Sequence, residues 1–333
     1  MPAVDEIALG SIIASTLRVS TPLLLCAMAG LVSERSGVVD LGLEGKMLFA
    51  AFAAAAAASL SQSTGLGLIA AISIACMLSM LHGFACVTHR GDQVVSGVAI
   101  NMVAAGLTVV LGIAWFKQGG QTPPIDATVR LTGLISAWSE PAQAVTDLGP
   151  WVGDWVAAIV GHGLLSHNLL VYLAFVLVLV VWFFLEFTRP GLRLRAVGEN
   201  PAMVEAAGVS VARLRYGALL VNGLLCGLAG SYLTLAQNAS FSPNMSAGRG
   251  FIALAALIFG KWKPLPTLLA CLLFGFLDAL AIRLQGAVIP GVGEVPVQLI
   301  QALPYLLTVV LLAGFIGQAQ APKALGQPYL KER

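Results

Sequence analysis

Long apolar runs recur along this chain, separated by short polar connections, and nothing else in the sequence constrains the fold as strongly. The runs are Ile7–Leu31, Leu43–Leu60, Leu66–Val87, Val94–Phe116, Asn168–Phe187, Gly217–Gln237, Gly250–Gly260, Leu265–Leu284 and Val297–Ile316. A helix needs about 20 mostly apolar residues to cross a bilayer, and fewer where it is broken inside protein. The pattern predicts about nine transmembrane helices, in the range of roughly eight to ten, with the seventh run too short to cross unaided. A soluble domain carries about 25% charged residues. Here 10% of the 333 residues are charged and 58% are hydrophobic. A soluble fold is excluded, and residues 1–333 read as a single all-α polytopic membrane domain.

Charge then orients it. With the polar stretch Thr188–Tyr216 placed in the cytoplasm, thirteen lysines and arginines fall inside, and Lys117, Arg130 and Arg249 fall outside. The opposite orientation inverts that bias, so the positive-inside rule puts the N-terminus outside and the C-terminus in the cytoplasm. The acidic start MPAVDEI lacks the basic region of a signal peptide and is expected to be retained. A net charge of +2 gives no footprint for nucleic acid. The external segment, residues 118–166, holds Trp138, Trp151 and Trp155, which suit interfacial anchors or a docking surface for an external partner.

The cytoplasmic stretch, residues 188–216, carries five arginines and two glutamates. Inside it is a miniature helix with both ends marked. Asn200 can cap the first free N–H groups, Pro201 suits the first turn, and Gly208 suits a left-handed stop. Ser210 offers a cap for the helix that follows. Such a helix between two spans is either a grip for a partner or a solvated connection whose arginines set orientation.

Two glycine-interrupted segments precede apolar helices. Ser33–Ala50 contains Gly37, Gly42 and Gly45 with Asp40 and Glu44, and Asn238–Gly260 contains Pro243, Gly248 and Gly250. Glycine there frees backbone groups, which a bilayer tolerates only when they are buried in protein or line a cavity. The first segment runs outward and the second inward, as in inverted-repeat transporters with broken helices near the midplane. The alternative is that both are loops.

Within the spans, Arg18 and Asp278 are ionisable and need a partner or a pathway. They could pair with each other, or Arg18 could snorkel outward. Asn101, Asn222, Gln237 and Asn238 suit a polar solute path or hydrogen bonds between helices. Gly223 and Gly227 form a GxxxG signal for close helix packing. The five cysteines lie in apolar runs without metal-ligand spacing and read as packing residues, so neither a disulfide nor a metal site is expected. There is no phosphate-binding loop, and His82 stands alone in its span. The chain does not read as an enzyme, and any ATP must be bound by another chain.

Three blocks carry a family likeness. GLRLRAVGENPAMVEAAGVSVARLRY (Gly191–Tyr216) resembles the cytoplasmic coupling loop of permeases in the branched-chain amino-acid and simple-sugar ABC importer superfamily. Gly248–Gly286 resembles the C-terminal block of its nucleoside and simple-sugar branch, and SGVVDLGLEGKMLFAA (Ser36–Ala51) resembles that branch's N-terminal motif, with Asp40 where asparagine is usual. The resemblance implies an importer permease in a bacterial cytoplasmic (inner) membrane, handling nucleosides or simple sugars. Gly198, Glu199, Asn200, Pro201, Glu205, Ala206 and Gly208 would form the coupling helix that docks on a cytoplasmic ABC ATPase. The segments opening at Gly37 and Ser242 would line the path, placing Asp40, Glu44, Ser242 and Asn244 beside Asn101, Asn222, Gln237 and Asn238. A second, related permease and an extracytoplasmic binding protein would complete the assembly. An ion-coupled secondary transporter or channel, acting without an ATPase, is the competing reading.

Overall fold

The computed structural model describes residues 2–131, 159–165, 167–284 and 320–330, with 288–289, 293–294, 302 and 306. The expected span Val297–Ile316 and the three tryptophans Trp138, Trp151 and Trp155 lie outside the described residues. Ten α-helices are described: α1 Pro2–Arg35, α2 Leu43–Ser61, α3 Thr64–Gly83, α4 Gln93–Phe116, α5 Leu169–Phe187, α6 Arg189–Glu199, α7 Pro201–Ala206, α8 Val211–Tyr232, α9 Arg249–Phe259 and α10 Pro264–Leu284. Three π-helical turns, Phe84–Thr88, Ile159–Leu164 and Leu233–Gln237, supplement them, and Val288–Ile289 pairs antiparallel with Gly293–Glu294. Seven helical segments are long and apolar enough to cross a membrane, and α9 is a shorter apolar helix. The expected short seventh span is therefore present as a half-length helix.

Local chemistry explains where these helices begin. Asp92 Oδ1 accepts the Val94 and Val95 N–H groups at the head of α4. Asn168 Oδ1 accepts from Val171 N at the head of α5, and Thr188 Oγ1 from Gly191 N at the head of α6. Each closes an otherwise open first turn. Pro22 lies inside α1. Its ring cannot supply the N–H that the Arg18 carbonyl, four residues earlier, would accept. The Tyr232 hydroxyl, on a fully buried residue of α8, donates to that carbonyl at 3.0 Å instead. A neighbouring helix thus satisfies the backbone group that proline leaves open, as a bilayer requires.

α1, α2 and α8 form the buried centre, while α3, α4, α5 and α10 turn most of their apolar residues outward. Close approach depends on small residues. A Cβ on Gly223 or Gly227 of α8 would stand 2.6 Å from Cys76 Cα or Ile72 Cα of α3, so the GxxxG pair holds two backbones in contact.

The packing has an exchange pattern. α8 lies along α3 as α1 lies along α10, α8 rests on α2 as α1 rests on α9, and α1 and α8 pack on each other. Swapping α1 with α8, α2 with α9 and α3 with α10 preserves these neighbours. In both halves a long helix is followed by an irregular segment, then by the next helix. This is the arrangement expected of an inverted repeat.

Candidate functional site: two broken helices meeting at Glu44

The two irregular segments bring the N-termini of α2 and α9 together. Glu44 is in the first turn of α2, and its carboxylate reaches across to the head of α9. Oε1 accepts the Gly248 N–H at 2.8 Å and Oε2 accepts the Gly250 N–H at 2.6 Å. A Cβ on Gly250 would stand 2.5 Å from Glu44 N, so glycine is what permits the approach. The α9 N-terminus, preceded by Gly248 at φ +80°, has no cap of its own. Glu44 supplies both the acceptors and the negative charge that a helix N-terminus favours.

Depth follows from geometry. From this junction α9 runs to Trp262, whose indole donates to Glu34 at 2.5 Å and whose carbonyl accepts from Arg35 at 2.8 Å, at the C-terminal end of α1. An 11-residue helix rises about 16 Å, roughly half of a 30 Å hydrocarbon core. α2 leads away towards the opposite side. Glu44 thus lies about half a bilayer thickness from the Trp262 end of α9.

A cleft of about 430 Å³ opens at the junction, lined among others by Glu44, Asn101, Asn244, Ser246 and Phe251. Asn101 holds the mouth together: its Oδ1 accepts Gly45 N at 2.7 Å and its Nδ2 donates to the Leu41 carbonyl at 2.8 Å. Leu48, Val98, Met102 and Ala105 make the remaining wall largely apolar. A few convergent polar groups on an apolar surface suit a small, uncharged solute with polar edges.

Not every expected path residue faces this cleft. Asp40 and Asn222 are fully buried in a closed network. Asp40 accepts from Lys46 and from Gly42 N, and Lys46 also donates to Asn222 Oδ1 at 3.1 Å, with Ser79 donating to the same oxygen. Asn222 Nδ2 in turn donates to Ser33 Oγ at 3.3 Å. A carboxylate is costly to bury alone, and the Lys46 ammonium beside Asp40 compensates its charge. These residues brace the first segment and do not offer themselves to solute. His82 belongs to the same brace, bonded to Ser96 Oγ and to the Val39 carbonyl. Gln237 and Arg18 line a separate cavity of about 570 Å³ on the opposite side from Trp262. Asn238 donates to the Leu233 carbonyl and is exposed, and Ser242 is half-buried in the second irregular segment.

Of the two alternatives for Arg18, the pair with Asp278 does not form: Arg18 is exposed and donates to Ser15, and the positive charge acting on Asp278 is Arg249 at the head of α9. Arg249, expected outside, is mostly enclosed at this depth and donates to the Met245 carbonyl at 3.4 Å. Its place follows from α9 beginning inside the protein and not at its surface.

At the α6–α8 end of the domain, the expected miniature helix is α7. Asn200 Oδ1 accepts Met203 N at 3.2 Å, Pro201 opens the helix, and Gly208 takes φ +80°. Glu205 Oε2 accepts Val211 N at 3.1 Å and locks α7 to the head of α8. The basic residues before it form a further helix, α6, which the local polar pattern does not mark. Met203 stands 70% exposed on α7, an apolar side chain directed away from the membrane domain. Val197, Val204 and Val211 form a small separate core beneath it.

Sequence reasoning missed Lys46, Ser79, His82 and Gln93 as members of the buried network. A lone lysine six residues beyond an aspartate, in an otherwise apolar run, was the available signal.

Residues 12–312 match the family model described as branched-chain amino acid transport system permease component. The chain belongs to this permease family. It is 38% identical over 333 residues to a guanosine ABC transporter permease of Bacillus subtilis, covering 97% of each chain. It is 36% identical over 328 residues to a nucleoside ABC transporter permease of Lactococcus lactis, again covering 97% of each. A protein of Haloferax volcanii provisionally named a glucose ABC transporter permease is 33% identical over 339 residues, covering 96% of this chain and 97% of that one. The protein is thus a multi-pass permease subunit of an ABC transporter.

Proposed function

We propose that this permease admits nucleosides through a path that passes the Glu44 junction. It would be driven by a separate cytoplasmic ATPase and supplied by an extracytoplasmic binding protein, in a bacterial cytoplasmic membrane. The observation that carries the reading is the meeting of two oppositely directed broken helices at Glu44, beside a cleft that combines polar groups with the 49% exposed ring of Phe251. A nucleoside needs both an aromatic face and hydrogen-bond partners for its sugar and base edges, without a net counter-charge. The names of the Bacillus and Lactococcus relatives support that solute class.

The exposed apolar face of α4, including Val98 and Met102 at the cleft rim, suits the second permease, a related but different chain. Glu199, Asn200, Pro201, Glu205, Ala206 and Met203 would form the contact with the ATPase, and ATP would be held there and not on this chain. The positive-inside bias supports an external N-terminus and a cytoplasmic C-terminus.

The test is reconstitution of this chain with its ATPase, second permease and binding protein in liposomes, following tritiated guanosine and ATP together. Guanosine uptake should require ATP, and Glu199→Arg should abolish it without preventing insertion. Uptake by this chain alone, indifferent to ATP and to the mutation, would favour a secondary transporter instead.

A further inference from the structure

Residues near the C-terminal end of the chain tie together two regions the transport cycle must connect. Residues 320–330 lie across the end of α6 and the base of the first irregular segment. Ala324 N donates to the Gly198 carbonyl at 2.8 Å, and Gly326 N donates to the Gly37 carbonyl at 3.1 Å. Tyr329 packs on the small core of Val197, Val204 and Val211 under α7. Pro322 and Ala324 are buried.

Arg215, in the first turns of α8, is the centre of this junction. It is 1% exposed, and its Nε donates to the Ser36 carbonyl while Nη1 donates to the Gln327 carbonyl, both at 3.3 Å. Among the described residues no carboxylate pairs with it. A buried guanidinium held only by carbonyl groups is a costly arrangement, and here those carbonyls belong to two separate segments. The fit is close on every side. A Cβ on Gly37, which has φ +86°, would stand 3.0 Å from Arg215 Nη2 and 3.1 Å from the Ala324 carbonyl oxygen. A Cβ on Gly198 would meet Pro322 at 3.3 Å.

We propose that the strap 322–329 and Arg215 are positioning elements that transmit movement of the coupling helix to the broken segment 36–42, and so to Glu44. Sequence-adjacent connections alone do not make this link: α6 and α7 join α5 to α8, whereas Ser36–Gly42 joins α1 to α2. The strap bridges the two with backbone hydrogen bonds, which tolerate little stretch before they break. A displacement of α7 of a few ångströms would therefore pull on Gly37 through Gly198 and Ala324. Without the strap, segment 36–42 would, among the described residues, be tied to the α6–α7 unit only by the Arg215 bond to Ser36 and by the packing of Gly198 on Arg35.

The proposal rests on the reading that α7 meets an ATPase, and the experiment separates the two. Two variants are compared with wild type in the full reconstituted complex: deletion of residues 320–333, and Ala324→Pro, which removes one N–H donor. Guanosine moved per ATP hydrolysed is measured, and hydrogen exchange of the permease in detergent is followed by mass spectrometry. Hydrolysis should stay within about twofold of wild type while transport per ATP falls at least tenfold for the deletion, with a smaller fall for Ala324→Pro. Exchange should rise in 36–42 and around Gly198 and remain unchanged in α3 and α4. An unchanged transport-to-hydrolysis ratio, or complexes that no longer retain the ATPase, would overturn the proposal, the latter making the strap a docking element. Absence of ATP-dependent uptake in the wild-type complex would sink the importer reading. The exchange pattern would still report on the strap.

Discussion

The two irregular segments occupy equivalent places in the two halves of the domain, yet they are held by different chemistry. Residues 36–42 are gripped by side chains: Asp40 by Lys46, the Val39 carbonyl by His82, and the Val39 N–H by Gln93 Oε1 at 2.7 Å. Residues 238–248 are gripped mainly by backbone. Ile125 N donates to the Ala239 carbonyl and Thr122 N to the Phe241 carbonyl, and the far end depends on the Glu44 carboxylate.

Their backbones differ as well. Between Ser33 and Ser61 only Gly37 has positive φ, where glycine bears no steric cost. α9 is flanked by Asn244 and Ala247 before it and by Lys261 and Trp262 after it, all non-glycine residues with φ between 48° and 56°. Left-handed residues of this kind cost about 1–2 kcal/mol each and persist where surroundings enforce them. The lesson is a division of labour. The first segment is a braced fulcrum, and α9 is a short strained lever hung from it through Glu44.

The largest effect should come from breaking the brace. Lys46→Met strands a buried carboxylate, and removing one partner of such a pair costs about 3–5 kcal/mol. Detergent-solubilised protein should unfold correspondingly earlier in a denaturant titration, and Asp40→Asn combined with Lys46→Met should recover most of the loss. Acidification protonates the carboxylate that Lys46→Met strands, so the deficit of the variant relative to wild type should be largest near neutral pH and shrink as pH falls. If the single and double variants were equally unstable, the brace would be packing and not charge.

Next comes the joint between fulcrum and lever. Glu44→Ala removes both acceptors from the head of α9, and hydrogen bonds to a charged group contribute about 1.5–3 kcal/mol each. Water entering the cleft should offset part of that loss, leaving about 2–3 kcal/mol. Guanosine uptake should fall at least tenfold. Glu44→Gln keeps one oxygen acceptor and should fall between the two. Wild-type uptake in Glu44→Ala would remove the junction from the transport path.

How much of this was legible in the sequence depends on the range of the interaction. The apolar runs before residue 285, the broken segments at Gly37–Gly45 and Pro243–Gly250, and the Asn200–Pro201–Gly208 signature of α7 are local patterns, and each appears as a structural element. The pairing of Glu44 with Gly248 and Gly250 links residues about 200 positions apart, and nothing in the local pattern of either segment specifies it. Asp40 illustrates the opposite error. A carboxylate beside glycines suggested a path, but the compensating charge at Lys46 follows six residues later and closes the pair. Arg18 could pair with Asp278 or snorkel by its sequence context alone, and it is packing that decides, leaving Arg18 exposed and Arg249 as the charge acting on Asp278.

A smaller effect should follow from loosening the lever's outer anchor. Thr122 is 2% exposed and its Oγ1 accepts the Phe241 N–H at 2.9 Å. Thr122→Val keeps the shape and leaves that donor unsatisfied, a cost of about 1–2 kcal/mol. Hydrogen exchange at 239–248 should accelerate while 36–42 remains protected. Equal acceleration in both segments would show that they move as one body and would dissolve the distinction between fulcrum and lever.

The smallest effect has the opposite sign. Ala247 holds φ +48° directly before α9. Replacing it with glycine relieves a left-handed cost of about 1–2 kcal/mol and adds unfolded-state entropy of about 0.5–1 kcal/mol. The difference favours a stabilisation of about 0.5–1 kcal/mol, seen as a later unfolding midpoint in detergent. If the strain belongs to the mechanism, the gain in stability should be accompanied by slower transport, because the relaxed turn no longer drives α9 between its positions. A variant that is more stable and equally fast would mean that Ala247 merely tolerates its conformation. A variant less stable than wild type would mean that its methyl group packs where glycine cannot, and the strain attributed to the lever would have to be sought at Lys261 and Trp262 on the other end of α9.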